Sequence, residues 1–204
     1  YREPAVLSYR ELNWPGETEW FFLSSRVLAY LHGNLYASVE FAEGGFLCWV
    51  QYYEQNGKGS RVCRRDIYDD RGFRSSSILY REGVKERQEY YAPDGGLRLC
   101  QMFPSGEVMV FGPGNPEDRP ECRKFRSMEQ LIREAVRPYF TEGGGKDTIV
   151  IAANRRHDSI LLDLLENRQD ANIVLSFFGN RYDLADEAAL RKDTEAARLV
   201  VTDT

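Results

Sequence analysis

The feature that most limits how this chain can fold is a run of turn signals at near-constant spacing. They are Glu54-Gln55-Asn56-Gly57, Asp69-Asp70-Arg71-Gly72, Arg81-Glu82-Gly83, Pro93-Asp94-Gly95-Gly96 and Pro104-Ser105-Gly106. Their glycines at 57, 72, 83, 95 and 106 lie 15, 11, 12 and 11 residues apart. That is the rhythm of successive hairpins. Asn-Gly and Asp-Gly pairs supply the positive φ angles that tight turns need. Between the turns lie Phe46–Tyr53, Ser75–Tyr80, Arg87–Tyr91 and Leu97–Phe103, and the last alternates apolar with polar as a half-buried strand does. The spacing predicts an antiparallel β-meander over about residues 35–111.

Gly112-Pro-Gly-Asn-Pro-Glu-Asp-Arg-Pro120 breaks the pattern with three prolines in nine residues, which reads as a loop. A helix follows: Ser127-Met-Glu-Gln130 has the form of a capping box. Met128, Leu131, Ile132, Ala135, Val136 and Tyr139 then form an apolar stripe of helical period, ended or bent by Pro138. Glu142-Gly-Gly-Gly145 reads as a joint, after which the texture changes. Asp147–Ala153, Asn172–Phe178 and Leu199–Thr202 read as buried strands, with helices over Ser159–Asn167 and Asp183–Ala197 between them. This is β-α-β-α-β, half of a doubly wound parallel sheet, with strands covered on both faces. The expected fold class is α+β with an α/β part. Residues 1–141 form an extended β-sheet domain ending in a helix, and 146–204 a partial Rossmann-like segment. The last residues, Arg198–Thr204, read as a strand with nothing after it, as expected of a fragment of a longer protein.

Composition narrows the function classes. The chain of 204 residues is 42% hydrophobic, enough for a core, and carries 27 basic against 32 acidic side chains, a net −5 that argues against a dedicated nucleic-acid binder. Its longest apolar runs fall far short of the ~20 residues of a spanning helix. Cys48, Cys63, Cys100 and Cys122 contain no CxxC pair, and the only histidines are His32 and His157, so no zinc site of the close-paired kind is expected. All four cysteines read as reduced. No GxGxxG follows the first parallel strand, no P-loop is present, and no GxSxG elbow accompanies His157. No catalytic residue, cofactor or metal ligand is assigned.

Two sets of binding candidates remain. Residues 58–98 contain ten basic and seven acidic side chains, +3 in a chain of −5. A meander face near Tyr68, Arg74, Tyr80, Tyr90 and Arg98 is the candidate acceptor- or partner-binding surface, because Tyr and Arg give adaptable polar contacts and an open sheet edge allows strand addition. Cross-strand pairing that only stabilises the sheet is the alternative for each of them. At the strand ends of the α/β part, Arg155, Arg156 and Arg181 could meet a sugar or phosphate.

Arg65–Tyr80 resembles a segment of the stabilising subunit of the accessory Sec glycosylation system, as do Glu89–Gly95, Arg126–Ile132, Asp147–Ala152 and Leu175–Arg181. A related member of the same export system, an accessory Sec protein with a glycosyltransferase-like body, shares this texture. The resemblance implies a two-lobed GT-B body carrying an inserted extended β-sheet domain. It also implies a non-catalytic, co-chaperone role in the cytoplasm. The implied partners are a catalytic O-GlcNAc transferase subunit and a serine-rich repeat adhesin acceptor, bound before export, with peripheral membrane association through the parent complex. The alternatives are a fragment of an active GT-B glycosyltransferase using a nucleotide sugar and a free-standing carbohydrate-binding module.

Overall fold

The computed structural model describes residues 7–57, 59–112, 122–141, 148–152, 172–176 and 199–201, with Ile160, Arg191 and Glu195 as single helical positions. The chain divides into two compact units, Tyr1–Arg126 and Ser127–Thr204. The division precedes the helix, whereas the sequence reading placed it after the helix.

The first unit is a ten-stranded antiparallel sheet whose strand order is its chain order. The strands are β1 (Glu19–Phe22), β2 (Arg26–Leu31), β3 (Asn34–Phe41), β4 (Leu47–Gln55), β5 (Ser60–Tyr68), β6 (Arg74–Arg81), β7 (Val84–Tyr91), β8 (Leu97–Met102), β9 (Val108–Phe111) and β10 (Cys122–Phe125). The predicted meander is therefore present and longer at both ends, gaining β1, β2 and β10.

Two turn chemistries alternate between the ends of the sheet. At one end, Ala42–Phe46, Asp69–Phe73 and Ala92–Gly96 close the β3–β4, β5–β6 and β7–β8 hairpins in the same way. The first residue's N–H donates to the carbonyl four residues on at 2.9 Å, and the fourth residue, a glycine, donates back at 2.8–3.1 Å. Gly45, Gly72 and Gly95 hold φ of 77–80°, the left-handed conformation that closes a three-residue hairpin loop. At the other end, His32-Gly33 and Glu82-Gly83 both have positive φ (50° and 74°, 53° and 80°), the two-residue primed turn that matches strand twist. A register shift follows in each of the hairpins from β2–β3 to β7–β8.

One face of the sheet carries a row that changes character across its width. Phe22, Val27, Val39 and Val50 are paired in succession, and the row continues through Asp66, Ser77, Glu89 and Cys100. The apolar half is the core: Val27, Ala29, Ala37, Val39, Leu47 and Val50 are all buried. It is covered by a strap, residues 7–14, bearing Leu7, Tyr9, Leu12 and Trp14. A 3-10 turn, Tyr9–Glu11, starts the strap's grip, closed by a capping box in which Ser8 accepts from Arg10 N–H and Glu11 accepts from Ser8 N–H.

In the second unit, helix α1 (Met128–Thr141) opens with Ser127 Oγ accepting the Gln130 N–H at 3.2 Å, as the capping signal predicts, and contains Pro138. Strands β11 (Thr148–Ala152), β12 (Asn172–Ser176) and β13 (Leu199–Val201) form a parallel sheet in chain order. Ile151 and Leu175 are buried, but Val150 is 65% exposed, so β11 is not covered on both faces as expected. The two intervening predicted helices lie mostly outside the described residues; Ile160, Arg191 and Glu195 within them are helical.

Candidate functional site

Where the transverse row turns polar, β4–β7 build a dense ionic cluster on the strap-bearing face. Alternation along β5 sets Arg64, Asp66 and Tyr68 on this face, and register places Tyr52 beside Arg64 and Ser77 beside Asp66. The Asp66 side chain is only 3% exposed. A carboxylate this deep needs partners. Ser77 Oγ donates to Asp66 Oδ1 at 2.7 Å, Arg64 Nε lies 3.3 Å from Oδ1, and Arg74 Nη1 lies 3.7 Å from Oδ2.

Each of the two arginines also stacks on a tyrosine. The Arg64 Cζ sits 4.1 Å from the Tyr52 ring centre and the Arg74 Cζ 4.4 Å from that of Tyr91. Their side chains remain 42% and 40% exposed, so the outer edges of both guanidinium groups face solvent. Burial pulls the Arg64 guanidinium down, but Asp66 and Tyr52 more than offset it, so the group is held firmly charged. Tyr68, half-buried beside this cluster, has its hydroxyl pushed well up, first by burial and then by Tyr52 and Asp66. It acts as a neutral hydrogen-bonding group.

A second carboxylate completes the band. Glu89 accepts from Arg87 Nε at 2.8 Å and from the Tyr91 hydroxyl at 2.6 Å. Burial pushes the Glu89 carboxyl up, yet the bonds from Tyr91 and Arg87 together hold it below its ordinary value. A carboxyl depressed on folding stabilises the native state above its unfolded value of about 4.3, and the contribution is lost as pH falls through the folded value. The stability difference between wild type and Glu89→Gln is therefore expected to be flat from pH 7 to 5 and to shrink below about pH 4. Urea melts across that range check it. A difference unchanged down to pH 3 would show that the charge on Glu89 contributes nothing.

The five sheet residues singled out from sequence do not share one face. Tyr68 and Arg74 belong to the cluster. Tyr90 pairs with Ser76 on the opposite face, and Tyr80 alternates with Ile78 and Ser76 on that same side. Period-2 alternation separates them, and the register shift at each hairpin moves the parity of residues near a turn. Arg98 braces a turn: its Nη2 donates to Asp94 at 2.8 Å and its Nη1 to the Gly112 carbonyl at 3.0 Å. Arg155, Arg156 and Arg181 lie outside the described residues.

Arg64, Asp66, Ser77, Tyr52, Glu89 and Tyr91 were missed by the sequence reading. The i, i+2, i+4 pattern Arg64-Asp66-Tyr68 was the available signal, an ionisable stripe on one face of a strand.

The opposite face is polar in another way. Arg65 donates to Gln51 through both Nε and Nη2, Gln51 Nε2 donates to the Tyr53 hydroxyl at 2.7 Å, and Gln88 Nε2 donates to Ser76 at 3.3 Å. All four cysteines are free thiols, and burial raises those of Cys48, Cys63 and Cys100. Among the described residues no group of three or more His, Cys, Asp and Glu is placed to hold a metal.

The family model for accessory Sec system protein 1, the first of the accessory secretory proteins, matches residues 2–204. The protein so described from Streptococcus gordonii is 31% identical over 203 residues, covering 97% of this chain and 37% of the relative. The crystal structure of accessory secretory proteins 1, 2 and 3 in Streptococcus pneumoniae contains a chain with a TM-score of 0.77 and 26% identity, matched over 98% of this chain and 39% of that one. A GtfA/B complex bound to UDP and GlcNAc shares the fold, with a TM-score of 0.73 at 17% identity over 98% of this chain and 43% of that one. The chain spans about two fifths of the length of the relatives it matches.

Proposed function

The chain belongs to the family of accessory Sec system protein 1, and from that membership we propose that it is the sheet-bearing part of a non-catalytic subunit in an accessory Sec assembly. The parent protein joins companion accessory subunits and works with a glycosyltransferase of the O-GlcNAc type. It presents a serine-rich acceptor polypeptide for export from the cytoplasmic side of the membrane. Two findings support the assembly: a relative of 26% identity was solved as a complex of accessory secretory proteins 1, 2 and 3, and the fold is shared with a GtfA/B complex. On this reading the parallel β11–β13 sheet opens the first Rossmann-like lobe of a GT-B-type body.

The observation that carries acceptor contact is the pair of tyrosine-stacked arginines around Asp66. A Ser/Thr-rich chain has few apolar anchors, so it is held through hydroxyls and backbone carbonyls. The outward N–H groups of Arg64 and Arg74 supply donors for those oxygens, and Asp66 and the tyrosine rings keep the donors oriented without drawing them inward. Tyr68 adds a hydroxyl beside them.

Pull-down of the full-length parent with its companion subunits, its glycosyltransferase and a serine-rich peptide, with a transfer assay on each protein alone, tests the reading. The parent is expected to bind the others and to transfer no sugar by itself. Arg64→Ala with Arg74→Ala leaves the buried Asp66 without its counter-charges and lowers stability, so it is read at a temperature where its melt shows it folded. There it is expected to weaken peptide retention tenfold or more and leave the assembly intact. Transfer by the parent alone overturns the non-catalytic role. Unchanged peptide retention in the double variant removes acceptor binding from this face.

A further inference from the structure

The two edges of the ten-stranded sheet are built differently. At one edge, β10 reads Cys122-Arg-Lys-Phe125, and the exposed Arg123 and Lys124 are the charged residues that keep an edge strand from pairing with other chains. At the other edge, β1 runs Glu19-Trp-Phe-Phe22 into Leu23, and Phe21, Phe22 and Leu23 are 52%, 62% and 54% exposed. An edge strand with three consecutive exposed apolar side chains is a template for strand addition.

Register shows which backbone groups are on offer. The Leu23 N–H donates inward to the Arg26 carbonyl at 2.9 Å, and Phe21 pairs with Leu28 and Glu19 with Tyr30 in the same phase. In an antiparallel ladder the intervening residues point their N–H and C=O groups the other way, so Trp20 and Phe22 present theirs to the outer edge. Side chains alternate as well. Phe22 lies on the strap-bearing face beside Val27, and Phe21 lies on the opposite face against Tyr30, with ring centres 5.0 Å apart.

We infer that β1 is the docking edge for an extended strand of a folded companion subunit. That strand carries apolar side chains toward both faces and Lys or Arg near its end. Apolar residues on both faces of β1 require apolar cover on both faces of the incoming strand, which a serine-rich acceptor does not have. The acidic flank supplies the charge requirement: Glu19 is exposed at the strand's start, and Glu17, whose Oε2 lies 3.3 Å from His32 Nδ1, is 78% exposed at the side chain. Assembly would then use the sheet edge and leave the Arg64–Asp66–Arg74 face free. The inference rests on the subunit reading above and names where the companion binds.

Hydrogen exchange on the full-length protein, alone and with its own counterparts of accessory secretory proteins 2 and 3, tests it. The amides of Trp20 and Phe22 are expected to exchange fast in the free protein and slowly in the complex. Phe22→Pro removes an outward N–H without touching the β1–β2 ladder, a position where edge strands tolerate proline. It is expected to weaken the complex tenfold or more with an unchanged melting temperature. Val84→Lys, which removes a 69% exposed apolar side chain at the start of β7, is expected to leave the complex as it is. If Phe22→Pro itself lowers the melting temperature, the wild-type exchange pattern decides. A complex that forms without protecting Trp20 and Phe22, or that tolerates Phe22→Pro, overturns the inference and spares the subunit reading. Protection already present in the free monomer means that the same chain covers β1, and protection that rises with concentration means that a second copy does. Either overturns it. No complex at all overturns the subunit reading and this inference together.

Discussion

Replacing Asp66 with alanine is expected to lower the stability of the protein by about 3 kcal/mol, the lower end of what breaking a buried ion pair costs. Asp66 is 2% exposed, and three side chains converge on it. Its removal leaves the buried Nε of Arg64 without its counter-charge and the Ser77 hydroxyl without its acceptor. The cost stays at the low end because both guanidinium groups are partly exposed and water screens them. Asp66→Asn keeps the shape and an acceptor for Ser77, so about half the loss is expected. Denaturant melts of the three proteins measure this. A loss below about 1 kcal/mol for alanine would mean that the arginines hold themselves in place by stacking alone. The same variants are expected to weaken acceptor contact as well, because arginines released from Asp66 lose the orientation on which that contact depends.

Trp14→Ala is expected to cost about 3 kcal/mol as well, by a different route. The strap has one short 3-10 turn and no ladder to the sheet, so side chains hold it. Trp14 is the centre of that grip: its ring meets Trp20 edge-on at 4.9 Å and reaches Tyr36 and Tyr52 at 6.3 and 6.1 Å. Its Nε1–H donates to the Tyr9 carbonyl at 2.6 Å. Alanine removes the ring contacts and this bond together, and it uncovers the small residues Ala29 and Ala37, both 0% exposed, on which the strap lies. Trp14→Phe keeps a ring and loses the bond, for about 1 kcal/mol. Thermal melts, with near-ultraviolet circular dichroism to report on the aromatic cluster, check both. A loss near zero for alanine would mean that Leu7, Tyr9 and Leu12 hold the strap without it.

Turn chemistry made the meander legible. Gly72 and Gly95 close three-residue loops and Gly83 a primed turn because their positive φ angles admit little else, and these signals are local. The capping signal at Ser127 is local too, and the helix starts there. The strap was not legible although Ser8-Tyr-Arg-Glu11 carries the capping-box pattern, because a three-residue turn has no periodicity to detect. Gly33 and Gly45 continue the glycine spacing back from Gly57 and mark the β2–β3 and β3–β4 turns, so β2 was open to the same reading. Strands β1 and β10 are four residues each, and the turn from β1 to β2 carries no glycine.

What could be read from the residues alone is the class of this protein: an antiparallel meander, then a capped helix, then parallel strands, with resemblance to the accessory Sec system. Each rests on interactions between residues close in the chain, or on short segments that match family members directly. Which residues act together depends on the folded sheet. Arg64 and Arg74 lie ten positions apart and meet only through Asp66, once the hairpin turn and its register shift have fixed which residue faces which. Each shift changes the parity of the residues beside its turn, so which of Tyr68, Tyr80 and Tyr90 share a face is set by the ladder and not by composition or glycine spacing. The character of the two edges was likewise invisible, since exposure of Phe21, Phe22 and Leu23 follows from β1 standing last in the sheet and from no property of those residues alone.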